Sequence, residues 1–203
     1  AEPENIFVFP DFLNTLPYSQ LRSGFAEMLK HGLIADQKHW NDLISIKHLT
    51  AENLFPFIET SMKIKERIVG QDFKEQHIRK TLNFGHTIGH AIESLFLQTG
   101  TAIPHGEAIA LGMICESRLA FLINLIGEVD AENIINNIRK FYPYLSISQF
   151  SDDQILALML NDKKNSSGKI SFSLLKKIGE GNFDCEVSEK DLISTLQYYR
   201  NLN

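Results

Sequence analysis

Apolar positions recur every three or four residues over most of this chain, which is the spacing that puts them on one face of an α-helix. In the first such segment Leu21 and Phe25 share one face, while Glu27 and Lys30 share another. The pattern predicts helices over residues 18–32, 38–48, 51–69, 73–79, 86–100, 104–126, 131–141, 152–160 and 189–199. Five of them follow a residue that can cap a helix N-terminus: Thr50, Asp72, Asp130, Ser151 and Ser188.

Three interruptions complete the predicted outline. Pro56 is expected to interrupt or restart the third helix, and residues 83–85 are expected to form a break. Residues 169–175 and 183–187 have strand character and could pair as a ribbon across the turn Gly179-Glu180-Gly181. The predicted fold class is therefore mainly α, a multihelical array with a small β ribbon.

Composition and charge exclude several kinds of protein. Apolar residues make up 43% and charged residues 22%, as in an ordinary globular domain, and the formal charge of -5 argues against a nucleic-acid partner. The longest apolar runs, 108–115 and 119–126, are separated by Glu116 and Arg118 and are too short for a membrane span. Cys115 and Cys185 form no C-x-x-C pair, which suits a cytoplasmic protein, and Cys115 is predicted to be buried.

The first residues indicate that the chain begins inside a longer protein. It opens with A-E-P-E-N-I-F-V-F-P-D, in which residues 6–9 have strand character but no partner strand nearby. Neither G-x-G-x-x-G nor a Walker loop occurs in the sequence. If a dinucleotide is used, its phosphate-binding segment is therefore expected outside this chain.

Three histidines are the strongest candidates for chemistry. His86 and His90, in N-F-G-H-T-I-G-H, are four residues apart and point from one face of a helix. His105 follows Pro104 at a helix start, where the helix dipole favours a neutral ring. A catalytic zinc commonly takes three protein ligands, which two histidines and a carboxylate would supply, and Glu27 is the best carboxylate. The alternative is a solvated face, since the H-E-x-x-H pattern is absent: Thr87 follows His86.

Cations and a polar row form a second group of candidates. Lys30, Lys65, Arg79 and the pair Lys163-Lys164 could converge on a phosphate or carboxylate, although each alone reads as a surface charge. Spacings of 4, 3 and 4 would put a guanidinium, an amide and two imidazoles on one helix face, which is typical of an active-site wall. Its members are Arg79, Asn83, His86 and His90. Glu75 extends the row and could act as a general base.

Taken together, these segments resemble the C-terminal domain of the 3-dehydroquinate synthase family, within the sugar-phosphate cyclase superfamily. The matching segments are T-L-P (15–17), S-G-F-A-E-M-L-K-H-G (23–32), K-E-R-I-V-G-Q-D-F-K-E-Q-H-I-R (65–79), L-N-F-G-H-T-I-G-H-A-I-E (82–93), H-G-E-A-I-A-L-G-M (105–113) and D-K-K-N (162–165). The resemblance implies an N-terminal Rossmann-like NAD domain absent from this chain. Residues 1–17 would be an interdomain segment bordering NAD, and 18–203 the helical metal- and substrate-binding domain.

The resemblance also implies roles for individual residues. The metal ligands would be Glu27, His86 and His105, around zinc or cobalt. The substrate contacts would be Lys30, Lys65, Arg79, Asn83, His90 and one lysine of the pair Lys163-Lys164. Glu75 and His90 would move protons, with Lys30 also catalytic. The segment bordering NAD would be Phe12, Leu13, Asn14 and Thr15.

The implied reaction converts 3-deoxy-D-arabino-heptulosonate 7-phosphate into 3-dehydroquinate and phosphate, with NAD taking up and returning a hydride. A phosphorylated sugar acid, the N-terminal domain and a second copy in a homodimer are the implied partners, and this chain alone is expected to be inactive. Three alternatives remain open. They are a cyclase for sedoheptulose 7-phosphate or glucose 6-phosphate, a glycerol dehydrogenase-like enzyme that would not need the cationic set, and an interaction module with structural histidines.

Overall fold

Helices dominate the computed structural model, which describes residues 5, 7–160 and 170–203. The α-helices are α1 (Tyr18–Ala35), α2 (Gln37–Ile44), α3 (Ala51–Gln71), α4 (His86–Gln98), α5 (His105–Leu122), α6 (Glu128–Phe141), α7 (Asp152–Leu160) and α8 (Glu189–Arg200). Two 3-10 helices, Pro10–Thr15 and Ile78–Asn83, and an antiparallel ribbon of β1 (Ser171–Lys177) and β2 (Glu180–Glu186) complete the described part. The predicted mainly helical fold with one small ribbon is confirmed.

Helix α5 is the centre of the core. Thirteen of its eighteen residues are buried, which leaves it without a polar face, as expected of a helix surrounded by others. It packs against α4, α1, α6 and α8 and also contacts β1. Cys115, on this helix, is a buried thiol as predicted. Within the described residues, no helix has the length and apolarity to cross a bilayer.

Glycines allow α5 to approach its neighbours closely. A Cβ atom on Gly112 would lie 1.8 Å from the carbonyl oxygen of Gly85, just before α4. A Cβ atom on Gly106 would lie 2.1 Å from the carbonyl oxygen of Ser23 in α1, and the Ser23 hydroxyl accepts a hydrogen bond from Gly106 N–H. The start of α4 and the middle of α1 are therefore held in backbone contact with α5.

The helix predicted over residues 73–79 is wrong, and Asp72 is the C-cap of α3 and not the N-cap of a following helix. The Asp72 carboxylate accepts hydrogen bonds from the backbone N–H groups of Gln76, His77 and Arg79. Burial alone would raise the pKa of Asp72, but these three donors outweigh it and lower that pKa. They fold the segment into a turn, because a short acidic side chain competes with helical bonding, and a 3-10 helix follows only from Ile78.

Several helix boundaries also differ from the prediction. Pro56 lies inside a continuous α3, on its exposed side, and does not interrupt it. Gly127, not Asp130, is the N-cap of α6, and α2 ends at Ile44, before His48. Thr50, Ser151 and Ser188 do accept hydrogen bonds at helix starts, and the chain does turn at Gly85, which has a φ of 80°. The ribbon turns at 178–179, where Gly179 has a φ of 87°.

We expect Gly112→Ala to lower the free energy of unfolding by at least about 2 kcal/mol, because backbone atoms of two helices would have to separate. Urea unfolding followed by circular dichroism would measure it. Gly70→Ala on α3 is the matched control, because nothing lies within 4 Å of the added Cβ atom. This variant should have a free energy of unfolding about 0.5–1 kcal/mol higher than that of the parent. Equal stability of the two variants would contradict the close contact.

Candidate metal and substrate site

Three helices bring the predicted metal ligands together. Glu27 comes from α1, His86 and His90 from the first two turns of α4, and His105 from the first residue of α5. The ring of His86 lies 5.0 Å from that of His90 and 5.6 Å from that of His105, measured between centroids. One ring nitrogen from each histidine lies within 4.8 Å of the others. The structure thus groups three imidazoles that are separate along the sequence.

Glu27 supplies a carboxylate oxygen suited to a cation. Its Oε1 atom is buried without a hydrogen-bond partner and lies 3.5 Å from His86 Nε2. Its Oε2 atom accepts a hydrogen bond of 2.7 Å from Lys30 Nζ. Two ligands about 2.0–2.1 Å from a tetrahedral zinc lie roughly 3.4 Å apart, which matches the separation of Oε1 and Nε2. A divalent ion between them would satisfy the oxygen, so these residues fit a metal.

Hydrogen bonds orient two of the imidazoles. His86 Nδ1 lies 3.1 Å from the carbonyl oxygen of Phe84, and His105 Nδ1 lies 3.1 Å from Glu93 Oε2. A carbonyl oxygen and a carboxylate only accept, so each Nδ1 carries the hydrogen in these bonds. With hydrogen on Nδ1, Nε2 is the nitrogen that has the lone pair in the neutral form of the ring. Metal-binding histidines are commonly held through their second nitrogen by such acceptors.

Local charges set the protonation states that a metal requires. Burial, and next the positive charge of Lys30, lower the pKa of His86 to about 3. Burial would raise the pKa of Glu27, but the charge and hydrogen bond of Lys30, together with His86, bring that pKa below its ordinary value. At neutral pH the pair is therefore a carboxylate beside a neutral imidazole, which are the forms that bind metal ions.

His90 joins the group in a position that fits two roles. It was predicted as a proton carrier and substrate contact, with Glu27, His86 and His105 as ligands. The structure places its ring 5.0 Å from that of His86, nearer than the ring of His105 is, and 5.6 Å from that of His105, measured between centroids. Geometry alone therefore offers His90 as a ligand or as an acid–base group beside the metal position.

The polar row around Glu75 is assembled by a turn and not by one helix face. Asn83 Nδ2 donates a hydrogen bond of 2.8 Å to Glu75 Oε1, while Arg79 Nε lies 4.0 Å from Glu75 Oε2. Arg79 also donates to the carbonyl oxygen of Phe73 at 2.7 Å. Glu75 has a φ of 56°, a left-handed conformation imposed by the Asp72 turn. Glu75 and Asn83 line a cavity of about 320 Å³ with Lys80, Thr87, Ser171, Ser173 and Asp184.

The remaining predicted residues are not brought to the histidines by any contact in the described part of the chain. Lys65 lies on the exposed side of α3. Residues Phe12 to Thr15 belong to the first 3-10 helix, with the Phe12 side chain 76% exposed. Lys163 and Lys164 lie outside the described residues. Their roles stay predictions.

Two glutamates near the site were not singled out from the sequence. Glu93 contacts His105 from α4, one turn beyond His90. Glu116, in the middle of α5, is fully buried and accepts hydrogen bonds from Gly85 N–H at 2.5 Å and Ile88 N–H at 3.2 Å. The sequence could have pointed to Glu116, which is an acidic residue within an apolar helix. Such a residue needs hydrogen-bond donors around it, because an unpaired buried charge is very costly.

His31, next to Lys30, is a buried histidine of a different kind. Its Nδ1 atom lies 2.7 Å from Ser61 Oγ on α3. Burial, and next the positive charge of Lys30, lower the pKa of His31 to about 4. It is therefore neutral at physiological pH and belongs to the packing of α1 against α3.

Most of the chain, including these site residues, matches a known protein family. The family model described as 3-dehydroquinate synthase C-terminal matches residues 24–165, which include Glu27 and all three site histidines. The chain belongs to the 3-dehydroquinate synthase C-terminal family. The sequence-based resemblance is confirmed.

Individual relatives agree with this family membership. The chain is 38% identical over 200 residues to the 3-dehydroquinate synthase of Parabacteroides distasonis, and 34% identical over 200 residues to that of Campylobacter concisus. In each case the aligned region covers 98% of this chain but 57% of the relative. The chain thus spans little more than half the length of these proteins.

A solved structure supports the fold. The 2-epi-5-epi-valiolone synthase of Streptomyces hygroscopicus subsp. jinggangensis, with NAD+ and Zn2+ bound, superposes with a TM-score of 0.81. The match covers 96% of this chain and 55% of that chain at 22% identity. At this identity the likeness concerns the fold of the family domain.

The neutral state of His31 predicts a pH dependence of stability. Below its ordinary pKa of 6.5 the unfolded chain takes up a proton that the folded protein excludes until about pH 4, so the free energy of unfolding falls between these values. When the pH is lowered from about 7 to about 5, the free energy of unfolding of His31→Gln should fall by about 2 kcal/mol less than that of the parent. Urea unfolding of the metal-free protein would measure the difference.

His48→Gln is the control for this effect, because His48 is exposed. It should follow the parent at both pH values. Parallel pH profiles for the parent and His31→Gln would show that His31 is not held neutral by the fold.

Proposed function

We propose that the protein carrying this chain is a 3-dehydroquinate synthase, and that this chain is its metal- and substrate-binding part. Such a protein is a lyase that converts 3-deoxy-D-arabino-heptulosonate 7-phosphate into 3-dehydroquinate and phosphate in the shikimate pathway. The observation that carries the proposal is the buried Glu27 oxygen, without a hydrogen-bond partner, 3.5 Å from His86 Nε2. Family membership supplies the reaction with which this cation site is compatible.

In this proposal Glu27, His86 and His105 hold a divalent zinc or cobalt ion. The ion would act as a Lewis acid that lowers the pKa of a substrate hydroxyl. Support comes from the oriented Nε2 atoms of both histidines and from the ionised carboxylate. Two solved proteins of this fold support the choice of metal. The valiolone synthase has Zn2+ bound, and a 2-deoxy-scyllo-inosose synthase, which matches at 24% identity with a TM-score of 0.71, has Co2+ bound.

NAD is the second proposed cofactor, held mainly by an N-terminal domain outside this chain. It would accept a hydride from the substrate and later return it. The first 3-10 helix would border it through Phe12, Leu13, Asn14 and Thr15. In support, this helix contains no buried residue and is therefore available to a further domain. The same two solved proteins also have NAD+ bound.

The side chains of this chain would bind the anionic groups of the substrate and move its protons. Lys30 is only 2% exposed, and its ammonium group would balance the charge of Glu27 and that of a substrate oxygen. Arg79, Lys65 and one lysine of Lys163-Lys164 would neutralise carboxylate and phosphate.

Proton transfer would fall to two groups, Glu75 and His90. Glu75 is held by the Asn83 amide at the edge of the 320 Å³ cavity, which offers room for a substrate. His90 lies against the other two imidazoles. A carboxylate and an imidazole fixed in this way are suited to general base and general acid steps.

The proposal extends to the location of the protein in the cell and to its partners. The buried free thiols Cys115 and Cys185 suit the reducing cytoplasm in which we place the protein. The proposed partners are the phosphorylated sugar acid, the N-terminal NAD domain and a second copy in a homodimer.

A different sugar-phosphate cyclase is the second candidate, favoured by the TM-score of 0.81 to a valiolone synthase. Against it, the curated relatives at 34% to 38% identity are named 3-dehydroquinate synthase. No described contact favours a glycerol dehydrogenase-like enzyme. The family match over residues 24–165 speaks against an interaction module with structural histidines.

Removing a metal ligand is expected to abolish tight metal binding. Glu27→Gln and His86→Ala should each weaken cobalt binding by more than about 100-fold, since even residues that only support a ligand cost 10- to 100-fold. Cobalt absorbance titrations and bound zinc measured by mass spectrometry would report it. Glu59→Gln is the control, on an exposed carboxylate of α3 paired with Lys63. Unchanged metal stoichiometry in Glu27→Gln would remove Glu27 from the site.

Substrate choice separates the two cyclase candidates. The intact protein, with NAD and zinc, is expected to release phosphate and form 3-dehydroquinate from the heptulosonate 7-phosphate, because Arg79 and the lysines suit a substrate with carboxylate and phosphate groups. Sedoheptulose 7-phosphate should be turned over at least about 100-fold less efficiently. This chain alone should be inactive, for lack of the NAD domain. The reverse substrate preference would establish the second candidate.

A further inference from the structure

Glu116 is a buried carboxylate for which the proposed reaction has no use. It lies on α5, is 0% exposed, and accepts hydrogen bonds from the backbone N–H groups of Gly85 and Ile88. These donors belong to the first turn of α4, the turn that carries His86. A negative charge is stabilised there by the helix dipole and by the N–H groups that have no partner within the helix.

One peptide unit connects Glu116 to the ring of His86. The N–H group of Gly85 and the carbonyl of Phe84 belong to the same planar unit, and in a trans peptide they point in opposite directions. Glu116 accepts from the N–H side at 2.5 Å, and His86 Nδ1 lies 3.1 Å from the oxygen on the other side. Fixing the N–H group therefore also fixes the direction of the carbonyl oxygen.

The residues around this peptide unit are packed closely against α5. A Cβ atom on Gly112, one turn before Glu116 in α5, would lie 1.8 Å from the carbonyl oxygen of Gly85. Gly85 has a φ of 80°, which favours glycine, and its own Cβ would meet Met113 Cγ at 2.6 Å. The turn is thus held from α5 by steric contact as well as by the carboxylate.

We propose that Glu116 is a positioning residue for the metal site. It holds the Phe84–Gly85 peptide so that the Phe84 oxygen accepts the Nδ1 hydrogen of His86, and His86 Nε2 is thereby presented to Glu27 and the metal. This inference rests on the proposed function, because it assigns His86 as a ligand. A carboxylate that only caps α4 would affect stability but would leave the tautomer of His86 unchanged.

The test is a graded series in the intact protein: wild type, Glu116→Gln and Glu116→Met. Glutamine keeps one oxygen acceptor without the charge, and methionine keeps the volume with no comparable acceptor. Ser117→Ala is the matched control, since the neighbouring buried Ser117 hydroxyl donates its hydrogen bond to the Met113 carbonyl oxygen within α5. Long-range ¹H–¹⁵N spectra of the metal-free protein would give the tautomer of His86, and cobalt absorbance titrations the dissociation constant.

The wild type and Ser117→Ala are expected to show the tautomer with hydrogen on Nδ1. The Nε2-protonated form should increase in Glu116→Gln and dominate in Glu116→Met, with cobalt binding weakened about 10-fold and about 100-fold. A folded Glu116→Gln with wild-type tautomer and affinity would overturn the inference. If neither variant folds, the wild-type spectrum decides: a His86 with hydrogen on Nε2 overturns it as well.

Failure of the proposed function has a different signature. A wild type that binds no cobalt, while His86 keeps its hydrogen on Nδ1 and loses it in the Glu116 series, would contradict the metal site and support the link through the peptide unit. A wild type that binds cobalt, with all variants alike, would retain the metal site and overturn the role of Glu116.

Discussion

The backbone contact between the start of α4 and the middle of α5 is the constraint on which the candidate site depends. Gly112 has no room for a Cβ against the Gly85 carbonyl, and Glu116 binds the Gly85 N–H group one turn later. His86 begins α4 and His105 begins α5, so the relative position of the two helices sets the distance between the rings. Close-packed interiors transmit small displacements, and a shift at this contact would reach both rings directly.

The buried ammonium group of Lys30 has the largest charge effect on the pKa values of two histidines in and beside the candidate site. Lys30 is paired with Glu27, and after burial its charge is the largest cause of the lowered pKa values of His86 and His31. A buried ion pair adds little net stability, because removing both charges from water is costly. Its effect here is chemical: the carboxylate stays ionised and the neighbouring imidazole stays neutral, as a cation requires.

The turn after α3 shows how a local signal can be correct and still mislead. Asp72 is a good helix cap by type, and it does accept backbone hydrogen bonds, but from three donors around a turn. Once these bonds form, Glu75 takes a left-handed conformation and no α-helix can begin there. The same turn brings Glu75 to Asn83. The sequence pattern also predicted that these two residues are neighbours, but on one face of a helix and not across a turn.

The helical character, three of the five predicted N-caps and the candidate ligands could be predicted from the amino-acid sequence. These depend on spacing within one helix, as for His86 and His90, and on motifs that mark the family. Three contacts could be seen only in the folded chain: Glu27 Oε1 lies near His86 Nε2, Glu93 contacts His105, and Glu116 binds the start of α4. Helix propensity depends on residues that are neighbours along the chain. These three contacts join residues far apart along the chain, and they form only when the helices pack against each other.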